Sequence, residues 1–547
     1  QSFEISVEDQ SFLERVAPTV GGAKRQMPPP SFCPECRNMR RMAWRNDRSF
    51  YQRKSSLSGD KIISIYPEAT PFPVYHQSEW YGDGWDAMDY GRELDLSRPF
   101  FEQWHELLLT VPRLGLDLVN CENSDYCNYC GDDKSCYLDI AGEANEDCYY
   151  NLFTKYSTNC VDCTFVYHST LCYESLHCHN SYGCRNSMYL DNCSDCMFCY
   201  DLKGCRNCLF SINLRNKEYY IFNEACSKED YERKLLEYNL GSSASVQKLS
   251  AMWLARRLEQ GIYRDMYTVN CEECQGNNVT NAKNCYAVFN ATNCEDCRYL
   301  YDVLDAKDCS DLNYSLYEPE LSYELISTLQ MKYSAFNMAS HFCSTVFYCD
   351  LTNHSQDLFG CIGLTHKQYC ILNKQYTKEE YEELVPKLIK RMQARGEWGE
   401  FFPATLSPFA YNETVAQEYA PLTKKEVVSK GYRWKDADLK DYQDQSTVIP
   451  DDIKDVEEDV TASILGCSAC KKNYRVIKQE YDFYKRVTLP IPHLCPECRH
   501  QSRIDLRTAR RLWERTCHCC KGDILTTYAP MRAEKIYCEK CYLEHVY

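Results

Sequence analysis

The sequence lacks the features that mark membrane proteins and the familiar enzyme families. No run of eighteen apolar residues is present, so we expect no transmembrane helix, and no basic-then-apolar signal pattern follows Gln1. Glycine-rich phosphate loops, HExxH motifs and nucleophile elbows are absent, and the 12 histidines are scattered. We therefore predict a protein that is not an enzyme.

Positive charge is also scarce, because 62 Lys and Arg stand against 79 Asp and Glu, for a formal net charge of −17. Such a chain cannot attract nucleic acid over its whole surface, so any such contact requires a local basic patch. What the sequence has in excess is Cys, with 37 residues, and Tyr, with 44. The cysteines fall into two classes of spacing that need separate explanations.

The first class lies near residue 500 in four Cys-x2-Cys pairs. The pairs are Cys467 and Cys470, Cys495 and Cys498, Cys517 and Cys520, and Cys538 and Cys541. Zinc prefers four tetrahedral ligands and each pair presents two thiolates, so these pairs predict two closed structural zinc sites. A redox or disulfide role is the alternative, and Cys519 is a spare thiol.

The beginning of the sequence repeats part of this unit. A shift of 462 residues aligns positions 33–79 with 495–541 without a gap, which indicates an internal duplication. Cys33 and Cys36 are kept, and a third zinc site there would take its other ligands from just before Gln1. We expect that the natural chain extends further or that this site is incomplete. The positions of the second site are taken by Ser55, Ser58, His76 and Glu79, and we expect it to be empty and held together by packing.

The second class of cysteines recurs every 12 residues. Its members are Cys136, Cys148, Cys160, Cys172, Cys184, Cys196 and Cys208, then Cys285, Cys297 and Cys309, then Cys349 and Cys361. A fixed short period indicates stacked, nearly identical coils. Twelve residues suit a narrow β-solenoid with two short strands per coil, whose interior admits only small side chains.

Three interpretations of these ladder thiols stay open. Buried free cysteines that act as small hydrophobes are the main one. Cys193, Cys196, Cys205 and Cys208 place two Cys-x2-Cys pairs on adjacent coils, which makes them a candidate metal site. A disulfide ladder is the third, and it requires an oxidising compartment.

Each predicted solenoid ends in a helix. Ser227 and Thr377 stand as N-caps, each with an acid three residues on, and helical periodicity follows over 228–262 and 378–395. Between 435 and 460, ten Asp or Glu against three Lys predict a flexible acidic linker.

The predicted fold class is mainly β with helical insertions, with a narrow β-solenoid of 12-residue coils in two stretches flanked by duplicated zinc-ribbon domains. The predicted domains are a degenerate zinc-ribbon-like domain with a helical connector (1–118), the first solenoid (119–223), a helical cap or insertion (224–268), the second solenoid (269–375), a capping helix with the acidic linker (376–465) and a double zinc ribbon (466–547).

The motif CPECR at Cys33 and Cys495, the arginine-spaced helix after it and the Cys/Tyr/Asn-rich middle resemble a family of uncharacterised cysteine-rich zinc-ribbon proteins. The family is known from environmental bacteria with reduced genomes. Segments 97–103, 122–129 and 407–416 are similar too, so the resemblance covers most of the chain. It implies zinc binding but no activity that can be transferred. Relatives carry cysteines near 55 and 76, where this chain has Ser55 and His76.

Arginines recur at helical spacing after each CPECR motif. They are Arg37, Arg41, Arg45 and Arg48 in the first copy, and Arg499, Arg503, Arg507, Arg510 and Arg511 in the second. Steps of three and four place each set, here called an arginine stripe, along one helical face, which can pair with phosphates. Pairing with the acidic linker, with a neighbouring domain or with an acidic protein partner is the alternative.

Together these features predict a cytoplasmic, non-enzymatic zinc scaffold that binds nucleic acid through its arginine stripes and contacts no membrane. RNA is favoured over DNA, with ribosomal RNA among the candidates. One alternative is a structural, self-assembling or protein-binding role for the Cys- and Tyr-rich solenoid. Another is metal storage or electron transfer through the cysteine ladder.

Overall fold

The computed structural model describes residues 3–445 and 447–547. Its α-helices are α1 (Val7–Val16), α2 (Pro34–Met42), α3 (Gln77–Trp80), α4 (Phe100–Leu108), α5 (Lys228–Glu237), α6 (Ser243–Gln260), α7 (Lys378–Arg395), α8 (Val415–Tyr419), α9 (Lys424–Ser429), α10 (Lys478–Val487), α11 (Pro496–Leu506) and α12 (Glu539–Val546). Short 3-10 helices lie at Ala87–Tyr90, Ala404–Leu406, Tyr411–Glu413, Leu439–Asp441, Ile453–Asp455 and Glu458–Ala462. Within the described ranges, no helix has both the length and the apolarity needed to cross a membrane.

Two stacks of strands form the middle of the chain, and all of these strands except Thr268–Thr292 are two to four residues long. The first stack has strands Leu118–Val119, Cys130–Gly131, Leu152–Lys155, Thr164–Tyr167, Leu176–His179, Met188–Asp191, Tyr200–Lys203, Arg206–Leu209, Glu218–Ile221 and Glu224–Ala225. The second stack has strands Thr268–Thr292, Tyr301–Leu304, Ser310–Asn313, Tyr323–Ile326, Ala335–Met338, Ser344–Phe347, Gln356–Phe359, Gln368–Ile371 and Lys374–Gln375. The remaining strands are two to four residues long and lie at Thr19–Val20, Ala23–Lys24, Tyr51–Lys54, Lys61–Ser64, Val74–Tyr75, Arg113–Leu114, Tyr263–Arg264, Leu465–Gly466, Asn473–Tyr474, Trp513–Thr516, Asp523–Thr526 and Ile536–Tyr537.

Neighbouring strands of a stack run parallel with a register of 12 residues, the period of the cysteine ladder. Thr164 pairs with Leu176 in the first stack, and Ser344 pairs with Gln356 in the second. One coil of the second stack is a residue longer, because Ser310 pairs with Tyr323. The last strand of each stack turns back antiparallel.

Each coil turns four times rather than twice. Every third residue is left-handed, as at Asn159, Asp162, Phe165 and His168, whose φ angles are 54°, 54°, 55° and 51°. Asn and Asp recur at these positions because they tolerate this conformation better than most residues. The prediction of two short strands per coil is therefore wrong, since a 12-residue coil with a corner every three residues has four short sides.

The interior of each stack is filled by one residue in three. Cys160, Cys163 and Val166 are fully buried there, and the Cys160 thiol donates to the main-chain oxygen of Ser169 at 3.6 Å. Every cysteine in the described part of the chain is a free thiol. A core made of small side chains and main-chain hydrogen bonds explains why the coil can be so narrow.

The helix caps lie where the sequence places them. Ser227 Oγ accepts a hydrogen bond from Asp230 N at 3.0 Å, and Thr377 Oγ1 accepts one from Glu380 N at 3.2 Å. Helix α7 covers the predicted 378–395. The predicted helical stretch over 228–262 is broken into α5 and α6.

Part of the predicted flexible linker is packed. Ile453 and Val456 are buried, and Asp451 accepts a hydrogen bond from Ala244 N at 2.8 Å, at the start of α6. The prediction of a flexible linker is therefore wrong for this part, because its apolar residues have a core to join. Residue 446 of that linker, and residues 1–2 of the first predicted domain, lie outside the described residues.

The two duplicated units fold alike. In the first terminal unit (34–80), α2 is followed by the hairpin of Tyr51–Lys54 with Lys61–Ser64, by Val74–Tyr75 and by α3. The second terminal unit (496–546) repeats this order from α11 to α12, with each strand 462 residues further on. The strand Val74–Tyr75 pairs with Arg113–Leu114 ahead of the first stack, and Ile536–Tyr537 pairs with Tyr263–Arg264 ahead of the second.

Candidate metal centres and the buried arginine interface

Four cysteines meet where α11 begins. The Sγ atoms of Cys467, Cys470, Cys495 and Cys498 all lie within 4.8 Å of one another. The first two come from the turn between two short strands, which Lys471 closes with a φ of 67°. Cys495 is the N-cap residue of α11, and Cys498 lies in its first turn.

Backbone N–H groups prepare this cluster for a cation. Cys467 Sγ accepts a hydrogen bond from Cys495 N at 3.3 Å. Burial acts to raise the pKa of Cys467, but the N–H groups of Cys495, Cys470 and Ala469 outweigh it and bring that pKa to about 6. Burial raises the pKa of Cys498 to about 12. A metal therefore meets one ready thiolate at Cys467 and displaces a proton from Cys498.

The second cluster has the same construction. Cys517, Cys520, Cys538 and Cys541 bring their Sγ atoms within 4.8 Å of one another, and Cys517 Sγ accepts a hydrogen bond from Cys538 N at 3.3 Å. Burial acts to raise the pKa of Cys517, but N–H donors of Cys538, Cys520 and Cys519 bring it to about 6. Cys519 is exposed and outside the cluster. Each of these two four-cysteine clusters can hold one metal ion with four thiolates.

In the first terminal unit, hydrogen bonds close the place of this second cluster. The Ser55 hydroxyl donates to the Glu79 carboxylate, which also accepts from His76 N at 2.9 Å. Burial acts to raise the pKa of Glu79, but the bonds from Ser55, Ser58 and His76 N outweigh it and hold that pKa below its usual value. The Glu79 carboxylate and its hydrogen-bond donors thus occupy the position where the other copy has four thiols. Hydrogen bonds as well as packing therefore hold this part of the first terminal unit together.

Two further predicted metal sites are not assembled. Cys33 and Cys36 lie at the start of α2, but within the described residues no other Cys, His or acidic side chain completes a cluster with them. Cys193, Cys196, Cys205 and Cys208 do not form a cluster of ligand spacing either. Their four Sγ atoms do not all lie within 4.8 Å of one another, unlike those of the two four-cysteine clusters, so the predicted tetrathiolate is not assembled.

All arginines of the two stripes except Arg511 are buried or partly buried. Helix α2 lies on the second stack and α11 on the first, so each terminal unit docks on the stack that is more distant in sequence. Arg41 is 0% exposed and Arg503 is 2% exposed. Phosphates outside the protein cannot reach these guanidinium groups.

Arg41 is held by three side chains of the second stack. Its Nη1 atom lies 3.1 Å from Asp311 Oδ1 and 3.2 Å from Glu324 Oε2, and its Nε donates to Asn313 Oδ1 at 2.8 Å. Burial acts to raise the pKa of Asp311, but Arg37 and Arg41 outweigh it and hold that pKa below its usual value.

Arg503 repeats this arrangement on the first stack. Its Nη1 atom lies 2.9 Å from Asp162 Oδ1 and 3.5 Å from Glu174 Oε1, and its Nε donates to Thr164 Oγ1 at 3.4 Å. The duplication thus extends from the terminal units to the carboxylates that receive them.

Most other members of the two stripes also have partners, but the three guanidinium nitrogens of Arg48 have no hydrogen-bond partner among the described residues. Arg37 pairs with Asp311, Arg45 with Asp47 and the rings of Tyr129 and Tyr314, Arg499 with Asp162 and Glu480, Arg507 with Tyr419 and the ring of Phe165, and Arg510 with Asp302. Burial lowers the pKa of Arg48, whose charged neighbours include Glu497 and Glu418. Arg511 is half exposed and lies 3.8 Å from Glu35.

The prediction that these stripes form a nucleic-acid surface is therefore wrong in its placement. The alternative that they pair with a neighbouring domain fits their contacts. The carboxylates that receive them were not identified from the sequence, although a signal was available. Asp162 and Asp311 are 149 residues apart and Glu174 and Glu324 are 150 apart, so acids recur at matching places of the two stacks.

Comparisons with known proteins do not show a family for this chain. No protein-family model matches the chain, and no curated protein matches it. Among solved structures, the chain is similar to a crystal structure of a Desulfovibrio desulfuricans G20 protein named as an acetyltransferase, with 8% identity over 51% of this chain and 81% of that one. The TM-score of 0.11 is too low to support an argument about fold or function. The resemblance to CPECR-type zinc-ribbon proteins stays a prediction.

Proposed function

We propose that the chain is a non-enzymatic, zinc-dependent scaffold in which two narrow β-solenoids are clamped side by side by zinc-ribbon-like terminal units. The observation that carries this proposal is the crossed pair of buried ion clusters around Arg41 and Arg503. The stacks also touch directly, since the rings of Phe153 and Tyr314 stack at 5.4 Å and Tyr317 donates to Glu143 at 3.0 Å.

The energetics favour a permanent clamp. Removing the carboxylates from a buried guanidinium, or the guanidinium from buried carboxylates, lowers the free energy of unfolding by about 3–5 kcal/mol, because a charge is left buried without a partner. Each terminal unit places such a group in the interface. Undocking either unit would also expose the apolar side chains packed around it, so we infer that the units do not detach to bind another molecule.

Zinc is the metal we propose for the two four-cysteine clusters. Four thiolates complete a tetrahedral shell and leave no position for a substrate, which is the arrangement of structural rather than catalytic zinc. Free thiols throughout the described chain suit a reducing compartment such as the cytoplasm. In this proposal the metal fixes the start of α11 and of α12, and so aims the Arg503 side chain at the first stack.

A partner-binding or self-assembly role is the second candidate, and a surface feature favours it. Phe342, His354 and His366 form an exposed row on the second stack, with ring centroids 4.9 Å and 5.1 Å apart. Light scattering over a concentration series tests self-association. A molar mass that rises with protein concentration, and rises less for Phe342→Ser, would support self-association. A monomer mass at all concentrations would exclude it.

Metal removal tests the scaffold proposal. We expect the purified chain to carry zinc in both clusters, and strong chelation to expose buried thiols to a thiol reagent without denaturant. A chain whose buried thiols stay equally protected after all zinc is removed would contradict the clamp. The nucleic-acid hypothesis would be restored if the chain bound mixed RNA at low salt and Arg503→Gln abolished this binding without disturbing the fold.

A further inference from the structure

A third group of ligand atoms lies deep inside the first stack. Asp133, Cys136 and Asp139 bring one carboxylate oxygen, one Sγ and one carboxylate oxygen within 4.8 Å of one another, and all three side chains are buried. With Gly142 they are the four inward positions of a single 12-residue coil, three residues apart. These side chains therefore meet near the axis of the stack.

The two carboxylates are exceptional because no cation faces them. Asp133 is 1% exposed and Asp139 is 0% exposed, and Asp133 Oδ2 and Asp139 Oδ1 have no hydrogen-bond partner among the described residues. All other buried carboxylates of the described residues are paired with arginines, except Glu397. Glu397 accepts hydrogen bonds from the main chain at the start of α4. The paired ones are Asp47, Asp162, Asp201, Asp302, Asp311, Glu324, Asp350, Glu480 and Glu534.

The neighbouring residues leave room for the acids and orient them. Asn145 N donates to Asp133 Oδ1 at 3.0 Å, and Asn145 Nδ2 donates to Asp139 Oδ2 at 2.9 Å. A Cβ at residue 142 would lie 2.6 Å from Asp139 Oδ2 and 2.7 Å from Asp133 Oδ2, so only Gly fits there. Burial raises the pKa of Asp133 to about 6, and burial and the charge of Asp133 raise the pKa of Asp139. The two carboxyl groups lie close enough to share a proton, and they occupy a place that disfavours two negative charges.

The second stack shows that the coil does not need these acids. Its corresponding inward positions, 149 residues further on, are Ala282, Cys285, Val288 and Ala291, all buried. The cysteine is kept, and the two acids and the glycine are replaced by apolar residues. Burying two unpaired carboxylates in the first stack costs free energy, so a ligand that compensates them is the simplest reason for their presence.

We infer that Asp133, Cys136 and Asp139 bind a divalent transition-metal ion of the zinc and cobalt class, in addition to the ions of the two four-cysteine clusters. A thiolate ligand disfavours Mg²⁺ and Ca²⁺, and two carboxylates disfavour Cu⁺, so the mixed set suits a borderline divalent ion. The ion supplies the positive charge that arginine supplies to the other buried acids. The coil before it is the first of the stack, and its Cys121 and Ser124 are only partly buried.

The test is a metal count on the full chain. The protein is stripped with chelator, reloaded with Zn²⁺ or Co²⁺, desalted and measured by elemental analysis. Two variants remove the proposed site: Asp133→Asn with Asp139→Asn, which keeps the side-chain volumes, and Asp133→Ala with Asp139→Val, which introduces the residues of the second stack at these two positions. We expect both variants to hold one ion fewer per chain than the wild type. An equal count in the wild type and both variants would show that the two acids share a proton instead, and would overturn the inference.

Thermal unfolding gives a second readout that does not depend on the four-cysteine clusters. In chelator, we expect the Asn variant to unfold at a higher temperature than the wild type, because two acidic groups buried without a cation are removed. Zinc should then raise the unfolding temperature of the wild type more than that of the variant, and an equal rise would contradict the inference. Cys498→Ser separates the two proposals, since it empties a four-cysteine cluster and leaves the solenoid site intact.

Discussion

At the scale of single residues, the buried guanidinium groups are the features with the largest expected energies. Arg503 and Asp162 meet with almost no solvent present, and Glu174 completes the cluster from a partly exposed position. Removal of Arg503 leaves the buried Asp162 with Arg499 alone and Glu174 without a cation, which is more costly than the loss of a surface pair.

We therefore expect Arg503→Met to lower the free energy of unfolding by about 3–5 kcal/mol, measured by urea denaturation. Arg511→Met is the matched control, because Arg511 is half exposed and only 3.8 Å from Glu35, and it should cost less than about 1 kcal/mol. Adding Asp162→Asn to Arg503→Met should cost less than the two single changes summed. Equal effects of the two arginine changes would contradict the buried interface.

The thiol ligands give a second test at this scale. Cys520 belongs to the second four-cysteine cluster, while its neighbour Cys519 is exposed and outside it. We expect Cys520→Ser to remove one zinc per chain by elemental analysis and Cys519→Ser to leave the zinc content unchanged. A loss caused equally by both changes would show that the cluster has been wrongly assigned.

At the scale of elements, the sides of the first stack carry ladders of stacked rings. His177 lies between Phe165 and Tyr189, with ring centroids 5.0 Å and 4.9 Å away. Burial, with the charge of Arg507, lowers the pKa of His177 well below 6.5. The folded chain therefore holds this imidazole neutral, whereas the unfolded chain can protonate it near pH 6.5.

The sign of the pH dependence follows from that shift. The group stabilises the fold above pH 6.5, and the stabilisation is lost as the pH falls below 6.5, by up to about 1.4 kcal/mol per pH unit. We expect His177→Phe, which keeps a ring in the ladder, to flatten the decline in stability between pH 6.5 and 5. Identical pH profiles of unfolding for the two proteins would contradict the neutral buried histidine.

The sequence predicts some properties of these elements and not others. The 12-residue register, the caps at Ser227 and Thr377 and the two four-cysteine clusters follow from short-range spacing, which the chain carries directly. The four-sided coil does not, because the period fixes how often the chain returns but not how many corners it takes. The left-handed corners could not be predicted, because residues such as Phe165 and His168 adopt positive φ only where the hydrogen bonds between coils hold them there.

At the scale of the whole molecule, the duplicated halves are crossed. The first terminal unit docks on the second stack and the second terminal unit docks on the first, with Arg41 and Arg503 in equivalent places. Helical spacing shows that a stripe of arginines lies on one face, but it does not tell what covers that face. The stripes are therefore not the exposed faces that the spacing suggested, because matching acids in the two stacks pair with Arg41 and Arg503.

This crossing also makes a prediction about truncation. A chain that ends before residue 466 loses α11 and leaves Asp162 and Glu174 without Arg503. We expect such a truncated chain to expose the first stack and to aggregate more than the full chain, as measured by size-exclusion chromatography. Adding Asp162→Asn and Glu174→Gln should recover part of the monomer, and no difference between the full and truncated chains would contradict the clamp.

Amide hydrogen exchange of α11 and of the strand Thr164–Tyr167, with and without zinc, tests the central claim most directly. We predict that both segments are protected in the zinc-loaded chain, and that both lose protection together on chelation or with Arg503→Met, because the metal site and the buried ion cluster hold one interface. Rapid exchange of α11 in the zinc-loaded wild type, or unchanged protection of Thr164–Tyr167 when α11 is released, would contradict the account.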